Sequence, residues 1–248
     1  MTKDAVLAIL RKENDYISGE HISRLLGVSR AAVNTAVKAL RAEGYEISSS
    51  TNKGYHLDAV PNSISAQELA AYLDEARMQT VECMASVDST NNRLRELALA
   101  GAPNGQVVLA NEQTQGKGRR GRAFASPQDN GIYLSILFHP DTLPTDIVEI
   151  TAWTAVATNN AIEEVCGVRA GIKWVNDLVI DRKKICGILT EMSVESESGY
   201  IQYLIIGIGI NVNGQAEDFP AEIRSTATSL AMETGKTHSR AALAAALI

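Results

Sequence analysis

Asn111-Glu-Gln-Thr-Gln-Gly116-Lys-Gly118-Arg-Arg-Gly121-Arg122 is the stretch on which the fold of this chain turns. Three glycines, Gly116, Gly118 and Gly121, alternate with four cations, Lys117, Arg119, Arg120 and Arg122. Glycine lets backbone N–H groups come close to a ligand, and successive N–H groups make anion-binding nests. Arginine adds forked donors that match phosphate or carboxylate oxygens. The pattern suits a polyanionic small molecule; a solvated basic loop is the other reading. No Gly-Lys-Ser/Thr follows at the needed spacing, so this is not a Walker A loop. The letters G-x-G-x-x-G are present, with Asp141 about 20 residues on, as a dinucleotide fingerprint asks. That fingerprint must leave a strand directly and open a helix. Here five polar residues separate the apolar run 107–110 from Gly116, and Ala-Phe-Ala-Ser-Pro follows Arg122. The dinucleotide-binding fold is excluded by context.

Downstream, an apolar strand is predicted over 132–138. A long helix follows from about Asp146, with apolar positions 147, 150, 154, 157, 161 and 165, closed by Gly167. Strand-like runs then cover 172–175, 178–180 with 184–192, and 200–210. Asp181-Arg182-Lys183 and Glu197-Ser198-Gly199 read as hairpin turns between them. Consecutive hairpins mean antiparallel strands, so the larger domain is expected to be α+β with a mixed sheet. Lys173, Asp177 and Lys184 stand among apolar neighbours in that sheet, either as a reactive cluster or as a structural ion pair. Gly207, Gly209 and Asn211 end a buried strand, and glycine weakens a strand unless something approaches its backbone closely.

Upstream, Ser65-Ala-Gln-Glu68 is a capping box that predicts a helix carrying Leu69, Tyr72, Leu73 and Ala76. A strand over 80–87 then leads into Asp88-Ser89-Thr90-Asn91-Asn92. Helix capping explains one such residue but not four consecutive hydrogen-bonding side chains after Asp88. The surplus points to a polar ligand head.

The first 62 residues form a separate unit. A helix over 3–12, a second after Ser18 that stops at Gly27, and a third capped by Ser29 have the helix-turn-helix order. The third buries Ala32, Val33, Ala36, Val37 and Leu40 and shows Arg30, Asn34, Thr35, Lys38 and Arg41 on its other face. Such side chains reach base edges and phosphates. Thr51-Asn52-Lys53-Gly54 is a hairpin signal that would supply a wing. Ser29, Arg30, Asn34, Thr35, Lys38, Arg41 and Lys53 are therefore the candidate DNA-binding residues, with a protein-docking module as the alternative. Residues 1–60 hold eight Lys/Arg against seven Asp/Glu, a net of +1, so one copy would hold DNA weakly.

The whole chain of 248 residues carries −6, which argues against non-specific coating of nucleic acid. No apolar run approaches the roughly 18 residues of a membrane span, and no signal-peptide core opens the chain. Cys83, Cys166 and Cys186 show no metal-ligand spacing. A reduced, cytoplasmic setting is expected, without membrane attachment or a zinc site. The histidines, His21, His56, His139 and His238, are scattered and read as structural.

Together, residues 18–57, 88–91, 113–122, 173–177, 182–191 and 206–213 resemble the biotin protein ligases, in the two-function bacterial form with an N-terminal winged helix. The glycine–arginine loop and Lys173-Trp-Val-Asn-Asp177 are a specific pair. The resemblance implies a winged head and linker over 1–62 and a biotin/lipoate-ligase-like catalytic domain over 63–248. It implies activation of biotin by ATP and magnesium to biotinyl-5′-AMP, transfer to a lysine of the biotin carboxyl carrier protein of acetyl-CoA carboxylase, and repression of biotin genes at an operator by a ligand-promoted homodimer. Ser89, Thr90, Asn91, Gln113, Lys117, Gly118, Arg119, Lys184 and Gly187 would hold biotin. Arg119, Arg120, Arg122, Phe124, Lys173, Asn176, Gly207, Gly209 and Asn211 would hold ATP or the adenylate. Lys184, Arg119 and Asp177 would be catalytic, with Asp177 also toward magnesium.

This chain has Lys117 where the family often has arginine, Phe124 where a tryptophan often stacks on adenine, and Val175 where proline is common. It ends inside a helix opened by Ser239, so the family's C-terminal SH3-like barrel is expected to be absent and the catalytic domain cut short. A repressor that senses a small molecule without turnover, and an acyltransferase of the lipoate-ligase type, are the competing readings.

Overall fold

The computed structural model describes residues 2–248, apart from the Asp146 side chain. The chain forms two compact units, one ending at Asn62 and one spanning Ser63–Ile248.

The head opens with helices α1 (Thr2–Lys12), α2 (Gly19–Leu26) and α3 (Arg30–Ala42). Ser18 Oγ accepts from His21 N–H and Ser29 Oγ from Ala32 N–H, each at 3.1 Å, so both serines cap as expected. Gly27 ends α2 at φ 64°, a left-handed conformation that favours glycine. Strands β1 (Glu46–Ser50) and β2 (Gly54–Ala59) pair antiparallel as the wing. Val6, Leu10, Ile22, Val33, Val37, Leu40 and Ile47 close the core of this unit. Ala32, expected within the buried stripe, is only half-buried.

In the larger unit the capping box gives not one helix but two single turns, α4 (Ala66–Leu69) and α5 (Glu75–Met78). Asp74 intervenes: its Oδ1 accepts from Arg77 N–H at 2.7 Å and starts a new turn, leaving Tyr72 exposed. β3 (Val81–Met84), shorter than the predicted strand, leads to α6 (Thr90–Leu99) and β4 (Val107–Ala110). β5 (Gly131–Phe138) follows the glycine–arginine loop. A 3₁₀ turn opened by Pro144 occupies the predicted start of the long helix, so α7 runs only Ile150–Cys166, closed by Gly167 at φ 69°.

β6 (Gly171–Lys173), β7 (Asp177–Ile180), β8 (Lys183–Val194) and β9 (Ile201–Asn211) complete the sheet. Val175, expected in a strand, lies in the turn between β6 and β7. Asp181 and Arg182, at φ 47° and 68°, make the tight turn into β8. α8 (Leu230–Thr234) and α9 (Arg240–Leu247) are the last two helices.

The seven strands are ordered β3-β4-β5-β9-β8-β7-β6. Only β3 and β4 are parallel, so the sheet is mixed. Both faces are covered. On one, α7 and α9 enclose a core with Leu109, Leu134, Ile162, Ile208 and Leu243; on the other, α6 packs through Leu94 onto Val108, Leu137 and Ile205. β9 is buried without a break from residue 203 to residue 210, which is why that part of its sequence is a continuous apolar run rather than an alternation. No further sheet beyond these two occurs among the described residues, and no helix there is long and apolar enough to cross a membrane.

Candidate ligand site and nucleic-acid interface

The polar corner after β3 and the glycine–arginine loop meet over the middle of the sheet. Ser89 is the N-cap residue of α6, yet its hydroxyl caps nothing. Asp88 Oδ1 accepts from Ser89 N–H at 2.6 Å instead. Gln113 Oε1 accepts from Thr90 N–H at 2.8 Å and from the Thr90 hydroxyl at 3.0 Å, while its Nε2 donates to Ser126 Oγ at 2.9 Å. Ser89, Thr90 and Asn91 are thus buried polar groups that line a cavity.

Residues 116–124 fold into a hairpin over that cavity. Gly118 N–H donates to Arg122 O at 2.7 Å and Phe124 N–H to Gly116 O at 2.9 Å. Its tip bends through Arg120 and Gly121, at φ 56° and 73°. Gly116 is required by proximity: a Cβ there would lie 2.3 Å from Phe124 O. The Lys117 ammonium donates to Asn92 Oδ1, and Asn92 Nδ2 to Asp88 Oδ2 at 2.5 Å, which ties the hairpin to the start of α6. Arg119 Nη1 donates to Asn176 Oδ1 at 3.1 Å and ties its other side to the turn before β7.

Lys184 stands on β8 with its Nζ 2.7 Å from Asp177 Oδ1. Asn176 Nδ2 donates to Asp177 Oδ1 at 3.1 Å, orienting the carboxylate. Two clefts adjoin at this lysine. The inner one is lined by Ser89, Thr90, Asn91, Gln113, Lys117, Gly187, Gly207 and Gly209. The outer one is lined by Arg120, Arg122, Ala123 and Asp177. Gly118, Arg119, Phe124, Asn176 and Lys184 line both.

The two strand glycines make room for side chains. A Cβ on Gly207 would lie 2.3 Å from Asn91 Oδ1, and one on Gly209 would lie 2.6 Å from the Phe124 ring. The Phe124 ring lies under Lys184, whose Nζ is 5.7 Å from its centroid.

Two expected site residues lie elsewhere. Asn211 lines neither cleft; its Nδ2 donates to Thr228 O at 3.0 Å and Lys184 O at 3.4 Å, so it fixes the lysine's backbone. Lys173 is exposed on the edge strand β6 and lines neither cleft. Ser135, Glu191, Arg95 and Ser126, by contrast, were not singled out from sequence. Ser135 Oγ lies 2.6 Å from Asn91 Oδ1, and Asn91 Nδ2 donates to Glu191 Oε2 at 2.7 Å. The available signal was Glu191 itself, a carboxylate on an apolar strand, and Arg95, one helical turn beyond Asn91.

The three thiols are unsuited to catalysis. Burial pushes Cys83 and Cys166 up to about 11 and Cys186 up to about 12.

On the head, the cap residue Ser29 and Arg30, Asn34, Thr35 and Lys38 of α3 are exposed. Arg30, Asn34, Arg41 and the wing residues Ser49–Asn52 line one groove. Arg41, exposed in that groove, also has partners within the head. Its Nε donates to Ile47 O at 2.9 Å and its Nη2 to Ser49 Oγ at 2.6 Å, fastening α3 to the wing. Lys53, at the wing tip, lies 5.9 Å from the Tyr16 ring centroid.

Comparison with known proteins places the chain in a family. The Biotin/lipoate A/B protein ligase family matches residues 83–211, and an HTH domain matches residues 2–56. A bifunctional ligase/repressor BirA of Bacillus subtilis is 40% identical over 242 residues, covering 97% of this chain and 74% of that protein. A biotin protein ligase from Aquifex aeolicus, solved in complex with biotin and ATP, superposes with a TM-score of 0.55 at 32% identity, over 67% of this chain and 66% of that one. A Leishmania major biotin protein ligase in complex with biotinyl-5-AMP gives 0.56 at 26% identity, over 67% and 71%. The chain belongs to the Biotin/lipoate A/B protein ligase family, with a helix-turn-helix domain preceding the ligase domain.

Proposed function

We propose that this protein activates biotin with ATP to biotinyl-5′-AMP, passes the biotinyl group to one lysine of the biotin carboxyl carrier protein of acetyl-CoA carboxylase, and represses biotin genes through its head. The observation that carries the reading is Lys184 at the junction of two clefts. The inner is polar at its floor and the outer is rimmed by arginines. A carboxylate held by the inner cleft and a phosphate held by the outer one would meet at the same ammonium.

The chemistry needs such a junction, because two anions must be brought together. A biotin carboxylate oxygen bonds to the α-phosphorus of ATP as the bond to pyrophosphate breaks. Lys184 and Arg119 offset the repulsion and hold the reactants in line. Asp177 and Asn176 fix the lysine and the arginine from behind. In the second step the acceptor lysine's amine attacks the biotinyl carbonyl and AMP leaves; the amine's proton passes to solvent. No protein nucleophile is required, which agrees with the raised thiols.

Magnesium would arrive with the triphosphate. The outer cleft offers it one carboxylate, Asp177, and no cluster of three potential ligands stands among the described residues. That donor set suits magnesium, which keeps its waters and rests on one or two carboxylates plus phosphate oxygens. When bound, it would screen the charge of the departing pyrophosphate.

For repression, the exposed face of α3 and the wing supply the contacts, and a net of +1 over residues 1–60 makes a single head a weak binder. A ligand-promoted homodimer would add the contacts of two heads on a two-fold operator.

Pyrophosphate release by the purified protein tests the ligase reading. Release is expected with biotin and ATP together, and not when lipoate replaces biotin. Biotin binding without release would leave a sensor that does not turn over, and release with lipoate would move the protein to the other substrate class.

A further inference from the structure

We infer that Asn92, which lines neither cleft, is a positioning residue that fastens the hairpin over the inner cavity through Lys117 and so sets how fast a bound ligand leaves. The inference rests on the proposed use of that cavity for biotin.

The hairpin is fastened on both flanks by the same arrangement. On one, the Lys117 ammonium donates to Asn92 Oδ1, and Asn92 Nδ2 donates to Asp88 Oδ2 at 2.5 Å. On the other, Arg119 Nη1 donates to Asn176 Oδ1 at 3.1 Å, and Asn176 Nδ2 donates to Asp177 Oδ1 at 3.1 Å. Each flank runs from a cation of the hairpin to an asparagine and then to an aspartate. Asn176 and Asp177 also face the outer cleft, but Asn92 and Asp88 line neither cleft. The inner fastening can therefore be altered from behind without touching the ligand.

The Asn92 amide has a single orientation. A carboxylate only accepts, so the NH₂ faces Asp88; an ammonium only donates, so the oxygen faces Lys117. Arg95 Nη1, at 3.5 Å from the same oxygen, is a second donor on that side. Asp88 is held in turn, because its Oδ1 accepts from Ser89 N–H at 2.6 Å.

The amide also keeps the Asp88 carboxylate one side chain away from the ammonium. A neutral oxygen holds a cation by a hydrogen bond, whereas a carboxylate oxygen adds the attraction of a full charge. Asparagine at this position thus makes a fastening that opens, where aspartate would make one that holds. The hairpin lies over the inner cavity, so the strength of the Lys117–Asn92 bond enters the rate at which a ligand escapes.

Two variants move that strength in opposite directions. N92A removes the acceptor. D88N/N92D exchanges the two side chains, so every bond above keeps a donor and an acceptor while the carboxylate now faces the ammonium. The full chain is loaded with radiolabelled biotin and chased with excess unlabelled biotin. Tryptic cleavage after Arg119 and Arg120 in the empty chain reports hairpin opening, and circular dichroism follows melting. N92A is expected to release biotin roughly tenfold faster and to be cleaved faster, as loss of about one hydrogen bond implies. The exchange is expected to release biotin about threefold more slowly and to be cleaved more slowly. A merely structural role at the start of α6 predicts the same direction for both variants. Should the exchange not fold, K117M supplies the comparison: adding N92A to it is expected to change release by less than about twofold, since the ammonium is already gone. Wild-type release from N92A, faster release from the exchange, or a full N92A effect in the K117M background overturns the inference and leaves the ligase reading intact. A wild-type chain that binds no biotin overturns both.

Discussion

The Phe124 ring lies against Gly209, so close that a methyl group on that glycine would come within 2.6 Å of a ring carbon. The ring lines both clefts and is part of what divides them. Gly209→Ala should push it aside at a cost of about 1–3 kcal/mol, typical of overpacking. Urea denaturation should register that loss, and biotin affinity should fall roughly tenfold with it. Unchanged affinity would mean that Phe124 plays no part in shaping the site.

Lys184→Met addresses the chemistry. The ammonium and its Asp177 partner are partly exposed, at 34% and 21%, so the pair contributes little to stability. Pyrophosphate release should drop about 10²–10³-fold, with melting within a few degrees of wild type. A variant with near-normal turnover would remove Lys184 from the mechanism.

Arg119 bridges the hairpin to Asn176 and lines both clefts. Arg119→Gly should open that side and let the mixed anhydride escape before transfer. In a mixture of proteins, lysines outside the carrier should then become biotinylated. Labelling that stays confined to the carrier would argue that retention lies elsewhere.

On the head, two cations of α3 should behave differently. Lys38→Ala removes a solvent-facing charge, so operator affinity should fall and the salt slope shrink by about one ion. Arg41→Ala cuts the tie to Ile47 and Ser49 and should lower the head's melting temperature as well. Equal thermal stability of the two variants would contradict the buttressing role.

Acid should weaken the larger unit through His238. Burial, with Lys236 nearby, holds its imidazole below the usual 6.5. The unfolded chain then binds the proton more readily, so stability is intact above about 6.5 and falls as pH drops through the folded value. His238 also has a structural duty, with its Nε2 2.6 Å from Thr234 Oγ1 and its backbone N–H donating to Asn213. Unfolding free energies of wild type and His238→Gln at pH 7.5 and 5.5 should diverge in slope, the variant being flatter.

Much of this was legible beforehand because the informative residues are punctuation. Ser18, Gly27 and Ser29 bracket the head helices, and the glycines and cations of the hairpin announce an anion site. What escaped was set by contacts between distant segments. Asp74 interrupts a helix that Ser65 had correctly opened, because a local side-chain bond outcompeted continuation of the turn. Asn211 reads as a ligand contact beside two glycines, but the return of the chain at Thr228 claims its amide. Ser135 gives no signal at all: one small polar residue in an apolar strand acquires meaning only from what α6 brings beneath it.

The central pairing of the sheet also governs how the protein comes into being. β5 finds its partner in β9, with Gly131 opposite Asn211 and Ser135 opposite Gly207. The ligand cavity has no floor until that late strand is laid down. A chain emerging from the ribosome can assemble its head at once from neighbouring helices, but the ligase unit must wait for β9, the last strand of its sheet in chain order. Through that interval β5 offers an unpaired apolar edge, open to pairing with another chain.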